Sequence, residues 1–449
     1  MILFSTLPIN DWMAAFAGFM WDSWFVWLLF ATHLFMTWRT GFVQRYLFKA
    51  IRLSFSRQKE GSGDISQFGA LMTALAATIG TGNIVGVAAA ISVGGPGAVF
   101  WMWLTGVFGI ATKFAEALLA VKYRVQNKDG TFSGGPMYAL ERGLGVKWLG
   151  LLFAIFTMLA AFGIGCMAQA NSVVDHLVNN FPDVNATTMQ NYAGVVMALI
   201  TAAVVLGGVK SISRVCELLV PFMAIGYVLG CICVLIHNAA HLPEALRLIV
   251  TNAFTGTAAA GGFTGAGIAL AMRQGVARGL FSNESGLGSA PIVAAAAQTT
   301  SPLRQALVSA TGTFWDTVVV CAITGLVIVS SGHWDEGLSK TQLTQAAFAD
   351  LGTWGPRLLL FGLITFVFST ILGWSYYGER AAEYLFGSKA NLPYRVLWVV
   401  AVYVGSIWKS SAVWDFSDGA NALMALPNIV SLIALSGVIA AESKRAGDA

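Results

Sequence analysis

"AATIGTGNIVG", residues 76–86, interrupts a long apolar run with Gly80, Gly82 and Gly86 and the amide of Asn83. Each glycine costs about 1 kcal/mol relative to alanine inside a helix. The flanks, 71–79 and 84–93, are each apolar enough for half a membrane-spanning helix, so the interruption falls near the middle of a bilayer. Unpaired backbone groups are costly in hydrocarbon, and non-helical backbone persists there only where it is buried in protein or lines a cavity. The pattern therefore predicts an unwound segment that binds something. Freed carbonyls at the end of the first half can coordinate a small cation. Freed N–H groups at the start of the second half, at the positive end of its dipole, can hold a carboxylate. Gly80 and Gly82 allow a ligand close to the main chain, and Thr81 and Asn83 add side-chain hydrogen bonds. Gly86 reads as a helix-packing residue.

The composition agrees. Of 449 residues, 56% are hydrophobic and 11% are charged, against about a quarter charged in soluble domains. Such a chain cannot clothe a water-facing surface, which makes it an integral membrane protein. Its net charge of +4 is scattered over short loops, which argues against a nucleic-acid surface. The five cysteines lie in apolar runs without metal or redox spacing. No HExxH or GxSxG occurs, so an enzyme is not expected, and no obligate protein partner is expected either. No Lys or Arg precedes Arg39, so the first apolar run reads as a retained span and not as a signal peptide.

Eleven apolar segments are long enough to cross a bilayer: 20–38, 68–93, 97–121, 148–177, 189–208, 214–236, 260–281, 306–330, 357–384, 394–410 and 415–440. The seventh is Gly-rich and carries Arg273 and Arg278. "LPEALRLIVTNAF" (242–254) reads as an amphipathic helix at one interface, and "RYLFKAIRLSFSR" (45–57) as a basic one on the inner leaflet. All but four of the loop Lys and Arg residues fall on the side of Arg39, with Arg273 and Arg278 assigned there. Only Arg247, Lys340, Arg357 and Lys409 fall opposite. The crowded side is expected to be cytoplasmic, with the N-terminus outside and the C-terminus inside. Lys113 and Glu116, three residues apart within one span, are expected to pair on a helix face. Asp316, also within a span, is a weaker candidate for ion or proton coupling.

"GTGNIVGVAAAISVGGPGAVFWMW" (80–103), "GVARGLFSNESGLGSAP" (275–291), "GWSYYGERAAEYLFG" (373–387) and, more weakly, "GIGCMAQANS" (163–172) resemble the signatures of the alanine or glycine:cation symporter family. The resemblance spans nearly the whole chain. It implies an all-α fold with one peripheral helix and a ten-helix core of two inverted five-helix repeats, the leucine-transporter type. The first and sixth core helices are broken in that fold. Residues 1–67 would hold the peripheral helix and the amphipathic segment, 68–236 the first repeat and 237–449 the second. The implied activity is sodium-coupled symport of a small neutral amino acid, alanine or glycine, into the cytoplasm across a bacterial inner membrane. A proton-coupled carrier of the same fold is the alternative.

The resemblance also assigns residues. A sodium ion would lie between the carbonyls of Ala76 and Ile79 and the hydroxyls of Ser369 and Thr370, adjacent polar groups in an apolar span. The substrate carboxylate would meet the N–H groups around Gly80, Thr81, Gly82 and Asn83. Gln169 matches the family's pocket glutamine. Trp374, one turn beyond Thr370, is expected to wall the pocket. Cys166, one turn before Gln169, is expected to narrow it. Met272 and Gly275 are expected to supply the remaining face.

Overall fold

Ile79 N–H donates to the Leu75 carbonyl at 2.8 Å, and with that bond the regular helix ends. The next donor, Gly80 N–H, turns away from the Ala76 carbonyl to the Asn83 side-chain oxygen at 2.8 Å. Asn83 N–H in turn bonds to the Gly80 carbonyl at 3.2 Å and not to that of Ile79. The chain bends by 54° at this point and resumes through a wide π-type turn over Gly82–Gly86. The break therefore lies where the glycines predicted it. The asparagine, which no packing role requires, is the group that caps it.

The computed structural model describes residues 8–56, 61–181, 183–255, 264–408 and 411–447. The elements are α1 (Ser23–Arg39), α2 (Leu47–Ser54), α3 (Gln67–Thr78) and α4 (Val87–Gly94) either side of the break, and α5 (Gly97–Lys122). They continue with α6 (Lys147–Val178), α7 (Ala186–Val205), α8 (Gly208–His237), α9 (Leu242–Thr255) and α10 (Thr264–Asn283). Then come α11 (Pro302–Ser330), α12 (Lys340–Ala349), α13 (Trp354–Phe386), α14 (Asn391–Ile407) and α15 (Ser411–Ala434). α5 packs against α10 and α11, α6 against α13 and α15, and α3 against α8 and α13. The broken helix is thus enclosed by other helices, which is what its exposed main chain requires. α9 lies across α5, where the Trp101 indole N–H bonds to the Ala253 carbonyl at 3.2 Å.

Among the described residues, eight helices are long and apolar enough to cross a membrane, and counting each of two sharply bent pairs as one span brings the number to ten. α10 stands at the seventh expected position but is not among them. Its glycines, Gln274 and two arginines make it less apolar than the others. The beginning of that expected span, 260–263, lies outside the described residues, as do Arg57, Lys59 and Lys409.

The second break is found, and the side assigned to Arg273 and Arg278 is corrected. Among the described residues this break follows α10. Glu284 (φ 55°), Gly286 (φ 89°) and Gly288 (φ 86°) adopt left-handed conformations before a short helix resumes at Pro291. Arg273 lies 3.4 Å from Asp22, the cap of α1, while Arg39 ends the same helix roughly 25 Å away. Arg273 therefore belongs to the face opposite Arg39. Arg278 joins it there, lining a cavity with Lys340. The basic majority stays on the Arg39 side.

Glu116 does not pair with Lys113 as expected. One of its carboxylate oxygens accepts from Gly286 N–H and Gly288 N–H, both at 3.0 Å, and from the Asn428 amide at 2.7 Å. Among the described residues, the Lys113 amine has no hydrogen-bond partner. Glu116 thus satisfies main chain that the second break would leave bare. Glu116→Ala is expected to destabilise the protein by roughly 3 kcal/mol or more, because three buried donors lose their acceptor. A Glu141→Ala control, at a partly exposed site, should move the unfolding midpoint in detergent far less.

Candidate substrate and ion site

The first break frees two carbonyls, and α13 brings two hydroxyls to them. Ser369 Oγ lies 3.2 Å from the Ala76 carbonyl oxygen, and Thr370 Oγ1 lies 3.3 Å from that of Ile79. Each hydroxyl is also close to the Phe366 carbonyl on its own helix, at 2.8 and 2.9 Å. A hydroxyl has one proton and can satisfy only one acceptor, and the shorter contact is the one within α13. The four oxygens of Ala76, Ile79, Ser369 and Thr370 then face one another largely through lone pairs. Such an arrangement suits a hard cation, which takes oxygen ligands. α13 reaches this position because Gly373 rests directly on Ala77, where a Cβ would meet the Ala77 methyl at 2.7 Å. Gly80 faces Thr370 Oγ1 in the same way, at 2.5 Å from where its Cβ would be.

Beside these oxygens is a central cavity of about 20 Å³, room for a single water. Gly80, Thr81, Gly82, Gln169 and Trp374 line it, as do Thr370 and residues that the sequence reading did not place there, among them Ile164, Phe281, Ser282 and Glu284. Gln169 donates to the Ile164 carbonyl at 3.0 Å, while its side-chain oxygen is buried without a partner among the described residues. That oxygen lies 3.6 Å from where a Gly80 Cβ would stand. An unsatisfied buried acceptor costs about 1–3 kcal/mol, so the site has a place for a donor. The Trp374 indole N–H bonds to Glu284 at 3.0 Å, which fixes the plane of this wall.

Four expected pocket residues serve otherwise. Asn83 faces the break, capping Gly80 and donating to Asp316 at 2.7 Å. Cys166 turns its thiol toward the Trp398 carbonyl at 3.7 Å, because a π-type turn over Ala161–Met167 alters the register between it and Gln169. Gly275 packs on Ala98 and Trp101 of α5, about 10 Å along α10 from Ser282. Met272 lies a further turn away, half-buried against the apolar core. Asp316 of α11 accepts hydrogen bonds from Asn83, from Ser282 at 3.0 Å and from Thr317 at 2.7 Å. One carboxylate thereby ties the two broken helices together.

A family model described as "Sodium:alanine symporter family" matches residues 6–446. The chain belongs to that family. It is 49% identical to the sodium/alanine symporter AgcS of Methanococcus maripaludis, covering 95% of each chain. It is 47% identical to an uncharacterized transporter of Haemophilus influenzae, covering 98% of this chain and 96% of that one. Among solved structures, that of MhsT in complex with L-phenylalanine superimposes with a TM-score of 0.60 at 18% identity, over 85% of this chain and 93% of the other. The fold is the leucine-transporter type. The molecule is a multi-pass membrane symporter that couples amino-acid movement to a cation.

In this symporter a second cavity, of about 580 Å³, opens on the face that carries Arg278, Lys340 and Asp418. Thr81, Gly82 and Phe281 line both cavities and so form the partition between them. Gly80→Ala, which would drive a methyl into the Thr370 hydroxyl, is expected to abolish coupled uptake. Gly86→Ala, with nothing within 4 Å of its added methyl, should retain uptake within about twofold, as fits a surface-like substitution. Transport assays of the two variants at matched expression check this.

Proposed function

We propose that the protein is a sodium-coupled importer of alanine or glycine that works by alternating access. The observation that carries this reading is the meeting of four oxygens, on Ala76, Ile79, Ser369 and Thr370, with a small cavity built on the same break. Sodium, as transported ion, would sit among those oxygens. The substrate carboxylate would meet the N–H groups around Thr81 and Gly82, where the second half-helix begins and its dipole is positive. The free oxygen of Gln169 would accept from the substrate's ammonium group. The narrowness of the cavity favours the smallest side chains, with Trp374 as the limiting wall.

Phe281 would act as the lid. Swinging it toward the larger cavity opens the site to one face, and its return encloses the substrate. The Glu116–Asn428 brace and the bond between Trp374 and Glu284 would hold the opposite route closed. The segments 68–236 and 237–449 would be the two inverted repeats that rock about this centre. The side that carries Arg39 would be cytoplasmic, in a bacterial inner membrane, with the N-terminus outside.

Purified protein in proteoliposomes should accumulate labelled alanine or glycine under an inward sodium gradient and not under a proton gradient alone. Uptake driven only by protons would replace sodium with the proton as the coupling ion. Thr370→Val keeps the side-chain shape but removes one oxygen, and should raise the sodium concentration for half-maximal uptake by about tenfold, the worth of one polar contact. Unchanged sodium activation would place the ion elsewhere. Trp374→Ala should let larger neutral amino acids compete for uptake. If none competes, another side chain sets the size limit.

A further inference from the structure

α13 bears Thr370 and, one turn on, Trp374, so its position affects both the ion oxygens and the pocket wall. Two close contacts made possible by glycines fix that position. Gly373 rests on Ala77 of α3. Gly165 of α6 lies against the root of the Trp374 side chain, where an added Cβ would overlap the Trp374 Cβ and Cγ. Real Cβ atoms do not make such contacts, so a methyl at 165 must displace something. α13 cannot retreat toward α3, because Gly373 already touches the Ala77 main chain. The indole is 1% exposed, stands edge-on to Tyr377 with ring centroids 5.5 Å apart, and is tethered by its N–H to Glu284. The open direction is the central cavity that Trp374 lines together with Ile164 and Gln169.

We propose that Gly165 is a specificity-determining residue that acts through Trp374. The missing side chain at 165 seats the indole at the back of the pocket, and Glu284 holds it there. The depth left over sets the largest side chain that the pocket accepts. Gly165 is a positioning residue and touches no substrate. This inference rests on the pocket proposed above, and adds which residue sets its depth and by what contact.

The test is the KM for alanine relative to glycine in full-length protein in proteoliposomes, at saturating sodium. Gly165→Ala should raise the alanine KM by about tenfold relative to glycine, the discrimination one methyl group gives in a tight apolar pocket. The sodium concentration for half-maximal glycine uptake should not move. Adding Trp374→Phe to Gly165→Ala should restore much of the alanine preference, since a smaller ring intrudes less when displaced. Gly373→Ala, which pushes the whole of α13 off α3, should instead raise the sodium requirement and shift the alanine-to-glycine ratio together, whereas Gly165→Ala moves the ratio alone. Should Gly165→Ala not fold, Glu284→Ala tests the same seat. With the indole untethered, serine and valine should inhibit glycine uptake at concentrations at least several-fold lower. Equal losses for alanine and glycine in Gly165→Ala, or an unchanged ratio, overturns the proposal, as does unchanged inhibition in Glu284→Ala. Wild-type protein that takes up neither amino acid under a sodium gradient defeats the proposed function instead.

Discussion

Everything at the centre of this protein depends on one hydrogen bond. Gly80 N–H is held by the Asn83 side chain and is withheld from the Ala76 carbonyl. In water that exchange would be nearly neutral. Inside a membrane protein, a carbonyl without a donor is costly, so the structure must supply a partner or bind a ligand. Here it supplies only a partial remedy. Two hydroxyls approach from α13, each already committed to a carbonyl of its own helix. The remaining deficit is what a cation could relieve. The break itself is held open by satisfied groups on its other side, since the Asn83 amide donates to Asp316. The second broken helix hangs on the same carboxylate through Ser282.

The two breaks differ in how readable they are. The first was legible because glycines and an asparagine stand together at mid-bilayer depth in an otherwise apolar run. At the second, glycine density alone gave no position. α10 is helical from Thr264 to Asn283 despite Gly265, Gly267, Gly275 and Gly279, since glycine permits unwinding without requiring it. The break lies at "ESGLGSA", where three residues take left-handed conformations, and one of them is a glutamate. Its determinant is remote in sequence, because Glu116 of α5 supplies the acceptor that makes those conformations tolerable. No local window could report that.

Register was the other loss. Cys166 and Gln169 are three residues apart, which on a regular helix would put them on neighbouring parts of one face. The wide turn over Ala161–Met167 adds a residue to the winding and separates them, so that one meets Trp398 and the other the cavity. Such turns often occur at functional sites and leave no composition signal. Arg273 and Arg278 were assigned to the wrong face for a related reason: hydropathy marks where a span ends poorly when the helix carries glycine and arginine. Ser369 and Thr370 stood out in the sequence as adjacent hydroxyls deep in an apolar span, and they lie against the carbonyls of Ala76 and Ile79 at the first break. Gln169 and Trp374 came from the family resemblance, and they line the cavity beside that break.

The proposed coupling follows from how the site is shared. The carbonyl of Ile79 and the N–H groups that follow it belong to consecutive peptides, so an ion on one side and a carboxylate on the other would polarise the same short stretch of main chain. Each ligand would lower the cost of leaving that stretch unwound for the other. By linkage, whatever factor sodium lends to substrate affinity, substrate lends to sodium. α13 extends the coupling, because Thr370 and Trp374 sit on one rigid helix. A shift that tightens the oxygens also moves the wall. The close contacts of Gly373 with Ala77 and of Gly165 with Trp374 leave that helix little slack, so ion binding and size selection at the proposed site would both follow from a single helix position. A looser contact at either face would let the two functions drift apart, and the carrier would lose either its gradient coupling or its preference for small side chains.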